Sequence, residues 1–128
     1  MAKTICKLVG VVFLLAGIVG FVSDNFMGMH LTMAHNLVHI VSGILALYFG
    51  FAASLSAARG FALAFGAVYL LLGVVGFIMG DANNDRMLTL IDGKLMFGTR
   101  DHAVHILLGI LFLIGALMTK PDRDRAVD

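Results

Sequence analysis

The chain holds five histidines and eight methionines, and these are the side chains whose types and spacing could do chemistry. HNLVHIVSG, from His35 to Gly43, carries two imidazoles one helical turn apart into a segment that is otherwise hydrocarbon. DHAVHILLG, from Asp101 to Gly109, repeats it, with His39 on His105, Gly43 on Gly109 and Ile44-Leu45 on Ile110-Leu111. Ionisable groups inside an apolar span are functional suspects. One reading is structural: a neutral imidazole donates a ring N–H to a carbonyl and ties two helices together.

Two chemical readings stand beside it. The first is a b-type haem held between His39 and His105, with Gly43 and Gly109 as small residues where the porphyrin lies against backbone. Arg100 at the outer end could pair with a propionate; no arginine lies within an uninterrupted apolar run, and there is no second histidine pair. The second is copper capture by Met27, Met29, His30, Met33, His35 and His102, since thioether and imidazole ligands suit Cu(I). Against it, methionine is common in apolar chains, where it fills gaps in packing.

These residues need elements to position them, and composition says which. Of 128 residues, 60% are hydrophobic and 13% charged, about half the charged share of a soluble domain, and the mean hydropathy is +0.99. That describes an all-α integral membrane protein, one domain over 1–128. A net charge of +1 excludes a nucleic-acid partner and an electrostatic funnel for anions. The single cysteine, Cys6, excludes an internal disulfide and any Cys-x-x-Cys metal site.

Four apolar runs follow. Leu8–Val22, extended by Ile5 and Cys6 to about 18 residues, reaches the lower length for a span and is helix 1. Lys3 and Lys7 ahead of it resemble the start of a signal peptide, but no A-x-A-like site follows, so the segment is kept as a helix. Helix 2 covers about Thr32–Ala53 and helix 3 Phe61–Gly80, with Arg59 just before it. The polar stretch Asp81–Arg100 contains two short extended runs about Asp92-Gly93, which predicts a β-hairpin with a type I′ turn. Helix 4 covers about His102–Met118, with Thr99 or Asp101 as N-cap, before Pro121 and the charged tail at 120–128.

GVVFLLAGIVGFV at Gly10–Val22 matches GAVYLLLGVVGFI at Gly66–Ile78 without a gap. Together with the histidine stretches this predicts two tandem helical hairpins, a parallel internal repeat over about 5–53 and 60–119, with the pseudo-two-fold along the membrane normal. In ring order helices 2 and 4 are diagonal, roughly 11–14 Å apart, with His39 and His105 at matching depth. Glycines at heptad spacing, Gly10 and Gly17 in helix 1 and Gly66, Gly73 and Gly80 in helix 3, mark close helix seams. Lys3, Lys7, Arg59, Lys120, Arg123 and Arg125 fall on one side, against Arg86, Lys94 and Arg100 on the other. The positive-inside rule then predicts cytoplasmic termini and places the hairpin and all five histidines toward the outer face. The spans lack acidic residues and proline breaks, which argues against a transport pathway.

The four spans, the (N/H)xxHxxxG start of helix 2, the GxxYLLLGxxG of helix 3 and the second HxxxG in helix 4 resemble a family of small bacterial four-helix membrane proteins catalogued only as a domain of unknown function. His39, His105 and Asn36 match its pattern, whereas His102 stands where helix 4 would carry the equivalent of Asn36. The resemblance implies a multi-pass protein of the bacterial plasma membrane and no activity. The expected function is a non-enzymatic membrane component, partnered by the lipid bilayer and working as a homo-oligomer or as a small subunit of a larger complex. A haem-binding electron-transfer module is the alternative, and outer-face copper binding the second.

Overall fold

Backbone polar groups have no water to bond in a bilayer core, so each apolar run must close its hydrogen bonds internally as a helix. A computed structural model, describing residues 1–121, contains α1 (Ala2–Val22), α2 (Met33–Phe51), α3 (Leu55–Met79) and α4 (Thr99–Leu117). All four are long and apolar enough to cross a membrane. A small antiparallel sheet, β1 (Leu88–Ile91) and β2 (Leu95–Phe97), lies between α3 and α4. The expected tail lies, from residue 122, outside the described residues.

Three of the helices, α1, α3 and α4, start earlier than the apolar runs do, while α2 starts at Met33, one residue later. α1 begins at Ala2 because a lysine can sit in a helix end while its stem follows the apolar surface; the Lys7 ammonium lies 4.6 Å from the centre of the Phe51 ring. α3 begins at Leu55, capped by Ser54, whose Oγ accepts from the Ala57 N–H at 3.1 Å. Arg59 thus lies inside α3, and its Nε–H donates to the Ala116 carbonyl at the end of α4 at 3.2 Å. α2 is capped by Thr32, whose Oγ1 accepts from the His35 N–H at 3.3 Å. In α4 the N-cap is Gly98, and neither Thr99 nor Asp101 holds that position. Asp101 sits at the third helical position and reaches back to accept the Gly98 N–H at 2.9 Å.

The hairpin is present, but its turn is not type I′. Only Gly93 takes a positive φ, +66°, and the Lys94 N–H donates to the Ile91 carbonyl at 3.0 Å. One positive φ at the third position of a four-residue turn is the type II pattern. A bulge between Thr89 and Ile91 absorbs the mismatch of the two strands.

α1 packs along α2 and α3 along α4, forming two close hairpins. Within the first, Gly10 and Gly43 face each other, and a Cβ on either would come within 2.9–3.1 Å of the other's carbonyl oxygen. Within the second, a Cβ on Gly66 would lie 3.1 Å from the Gly109 carbonyl, and one on Gly109 would press on the Leu70 backbone. Backbone contact of this kind is what drives helix association in lipid, where apolar burial gains little. Between the hairpins, Phe13, Tyr69 and Phe112 form the centre, with Phe13–Tyr69 ring centroids 5.3 Å apart. α1 approaches both α3 and α4, while α2 and α4 scarcely meet, so these two are the far diagonal. Large apolar side chains such as Leu8, Leu15, Ile44, Leu71 and Leu107 point outward, an arrangement suited to acyl chains and not to water.

Candidate functional site

Apart from Thr119 at the far end, the buried polar side chains of the described residues gather toward the end of the bundle where α2 and α4 begin. His35, Asn36, His39, Ser42, Asp101, His102 and His105 are all less than 10% exposed. They divide into residues that hold the loops and a cluster of imidazoles packed on one another.

Asn36 and His102 belong to the first kind. A helix start leaves the preceding loop with carbonyls that need donors. The Asn36 amide donates to the Leu31 carbonyl at 3.3 Å, and the His102 Nε2–H donates to the Arg86 carbonyl at 2.7 Å. Each side chain lies against a glycine of the neighbouring helix, Asn36 on Gly20 and His102 on Gly76, and a Cβ at either glycine would overlap it. Asp85 and Arg86 both take left-handed backbone conformations, with φ of 49° and 53°. These conformations turn their carbonyls toward α4, where the Asp85 oxygen accepts from Thr99 at 2.9 and 3.0 Å. Asp101, 1% exposed, also binds the first loop, its Oδ2 accepting the His30 N–H at 3.3 Å and lying 3.4 Å from His30 Nδ1. Arg100 donates to the Met27 carbonyl at 2.7 Å.

His35, His39 and His105 form a cluster. The i, i+4 spacing of α2 stacks His35 over His39 with ring centroids 4.3 Å apart, and His35 lies 6.1 Å from His105. His39 and His105 are each the seventh residue of their helix, counted from Met33 and from Thr99. Both therefore lie about 9 Å along it at 1.5 Å per residue. Each packs on the aromatic residue that the sequence match also aligns, His39 on Phe13 at 5.7 Å and His105 on Tyr69 at 5.5 Å. His35 Nδ1 donates to the His30 carbonyl at 2.8 Å, which fixes that tautomer and leaves Nε2 as the basic nitrogen. His39 Nδ1 and His105 Nδ1 are buried without a hydrogen-bond partner among the described residues. Phe97 of β2 covers the cluster, its ring 5.0 Å from both His35 and His105.

Two cavities reach this cluster from opposite flanks. One, of about 360 Å³, lies between α1 and α4 under Met27, Met29 and Leu31, and His39 is its only polar side chain. The other, of about 280 Å³, lies between α2 and α3 under Leu90, Leu95 and Phe97, and both His39 and His105 line it. Their walls correspond under the sequence match: Val12, Phe13, Ala16 and Leu108 in the first stand where Val68, Tyr69, Leu72 and Ser42 stand in the second.

The residues expected to hold a haem are thus split. His39 and His105 turn their rings into the bundle, whereas Gly43 and Gly109 are used up in the hairpin seams. Of the copper set, Met27 and Met29 line the α1–α4 cavity, while Met33 faces a different hollow beside Gly93 and Lys94. His30 is bound to Asp101, His35 to the His30 carbonyl and His102 to Arg86, so the six do not converge. Among the described residues no group of three or more His, Cys, Asp or Glu side chains has metal-binding geometry. The central place of His35 and the cover supplied by Phe97 were not anticipated. The HxxxH spacing could have signalled the first; nothing local in the hairpin signals the second.

Neither the curated proteins nor the solved structures contain a match to this chain. A family profile described as a domain of unknown function (DUF4383) matches residues 3–118, and the chain belongs to that family.

Proposed function

We propose that this protein is a non-enzymatic membrane component whose outer-half imidazole cluster is a binding site, built as two tandem hairpins of one repeat. The observation that carries the reading is the pair of buried, partnerless Nδ1 atoms on His39 and His105, at the same depth of the two diagonal helices. Burying a polar nitrogen without a partner costs on the order of 1–3 kcal/mol. Asn36 and His102 each spend one polar atom on a loop carbonyl, although Asn36 Oδ1 and His102 Nδ1 are likewise buried without a partner, whereas the imidazoles of His39 and His105 make no hydrogen bond to a described residue and lie beside cavities, which fits a site that is completed by a ligand. The equivalent seams at Gly10–Gly43 and Gly66–Gly109, and the equivalent seats of Asn36 and His102, support the repeat.

The lysine and arginine distribution supports a bacterial plasma-membrane protein with both termini cytoplasmic and the cluster near the outer surface. The outward apolar faces suit a homo-oligomer or a small subunit of a larger assembly as well as lipid alone. The reading is tested by comparing the organic extracts and optical spectra of the wild-type protein, purified in mild detergent, with those of His39→Ala and His105→Ala. A small molecule retained by the wild type and lost from both variants is expected; extracts and spectra identical in all three would overturn the reading.

A second reading makes His39 and His105 the axial ligands of a b-type haem, favoured by their placement on diagonal helices with rings inward. The ring of His35 lies against both of them and that of Phe97 covers His35 and His105, so a porphyrin would have to displace these rings. A Soret band shifting on dithionite reduction, and absent from both alanine variants, is its signature. Outer-face copper binding by Met27, Met29, His30, Met33, His35 and His102 would need these side chains to regroup, and Cu(I) loading with Met27 and Met29 replaced tests it.

A further inference from the structure

Three properties of the α1–α4 cavity define what could fill it. Its walls are apolar throughout except for one imidazole, that of His39, so the body of the occupant is hydrocarbon. His39 is 8% exposed, its Nδ1 has no partner among the described residues, and no charged side chain lines the space. A buried neutral imidazole matches an uncharged oxygen that accepts or donates one hydrogen bond, and an ionic headgroup would be left without a counter-charge. Finally, Val12 and Leu15 on its rim are outward-facing residues of a spanning helix, so the way in is from the acyl-chain region and not from water.

Within the cavity Phe13 offers a ring face beside His39 at 5.7 Å, and Met27 and Met29 close the outer end. Thioethers and a phenyl ring favour a flat conjugated partner over a saturated chain, through sulfur–aromatic and offset ring contacts. A volume of about 360 Å³ is within the range of about 300–1,000 Å³ for ligand pockets. That is room for a ring and the first carbons of a tail, with the rest of the tail among the lipids. The companion cavity is smaller, and it replaces Phe13 and Leu108 by Tyr69 and Ser42 beneath the hairpin, which makes it the less suitable of the two.

We propose that the α1–α4 cavity binds the ring of a lipid-soluble quinone, with a carbonyl oxygen hydrogen-bonded to His39. This rests on the reading of the imidazole cluster as a binding site and names the class of molecule that completes it.

The test is calorimetric titration of decylubiquinone into the full chain in lipid nanodiscs, with empty nanodiscs subtracted. Saturable binding of one quinone per chain is expected. His39→Leu removes the hydrogen bond and Ala16→Phe fills the cavity beside Phe13, and each should weaken binding at least tenfold. Ile44→Phe, on the outward face of α2, should leave it unchanged. Should His39→Leu fail to fold, judged by its elution and helix content, Ala16→Phe alone decides. Binding no stronger than to empty discs, equal binding by the Ala16→Phe protein, or equal competition by a decyl chain lacking the ring overturns the proposal. If quinone fails while a different molecule is still extracted from the wild type and lost from His39→Ala, this inference falls and the binding-site reading stands.

Discussion

Replacing Gly76 by alanine should be among the most damaging single-methyl changes in this protein, and the reason is one ring. A Cβ at Gly76 would overlap Nδ1, Cε1 and Cγ of His102. The ring cannot slide away freely, because its Nε2–H is held by the Arg86 carbonyl at 2.7 Å and the residue is wholly buried. Breaking that bond leaves a buried donor and acceptor unpaired, at about 1–3 kcal/mol. Keeping it forces backbone movement, with overpacking costs of about 1–3 kcal/mol. Alanine's better helix propensity returns about 1 kcal/mol. Whichever route is taken, the net loss is up to about 2 kcal/mol, which corresponds to a fall in Tm of up to about 10 °C for a chain of this size. The assay is built in: Cys6 is the only cysteine and is buried, so a thiol-reactive dye reports unfolding in detergent. Gly60→Ala is the control, since nothing lies within 4 Å of a Cβ there, and it should raise Tm slightly. The Gly76→Ala, His102→Ala double variant should lose less than the sum of the singles, with a coupling of about 1–3 kcal/mol. A Gly76→Ala protein as stable as Gly60→Ala would refute the packing argument.

Three further outcomes are expected. Asp101→Ala should destabilise by about 1–3 kcal/mol, because the Gly98 N–H and the His30 N–H lose their acceptor; a dye-monitored Tm equal to wild type would contradict it. Phe97→Ala should open the cluster from the side of the β-hairpin, so that diethylpyrocarbonate modifies His105 faster than in the wild type, as mapped by mass spectrometry; an unchanged rate would mean that Phe97 is not its cover. In a Cys6→Ser background, a cysteine at Asn83 should react with a membrane-impermeant reagent added to intact cells, whereas one at Ser54 should not; labelling at Ser54 would reverse the orientation.

Apolar runs interrupted by turns revealed four spans in the sequence because lipid demands long uncharged helices, and no other element competes for such runs. Their ends were less legible. Lys3, Lys7 and Arg59 end a hydropathy run without ending a helix; the Lys7 side chain finds an aromatic face and that of Arg59 a helix-terminal carbonyl. The hairpin was legible from Asp92-Gly93, but not its turn type, which depends on where the bulge between Thr89 and Ile91 falls. His39 and His105 stood out by their repetition and do face the bundle centre. His35 is matched by Asp101 when the two stretches are aligned, so the likeness of the stretches does not single it out. The His30 carbonyl instead draws its ring over His39, a contact that depends on how the first loop folds back. Gly43 and Gly109 stand in the sequence as small residues that a porphyrin could lie against, whereas the facing backbone of α1 and α3 uses them for helix packing.

The central claim is that the imidazole cluster holds a molecule from the lipid phase. Native mass spectrometry of the protein released from detergent micelles tests it most directly, comparing the wild type with His39→Ala and with Ile44→Phe. The wild type and Ile44→Phe should each carry the same discrete small-molecule adduct, and His39→Ala should fly as the bare chain. Bare chain in all three, or an adduct retained by His39→Ala, would contradict the account.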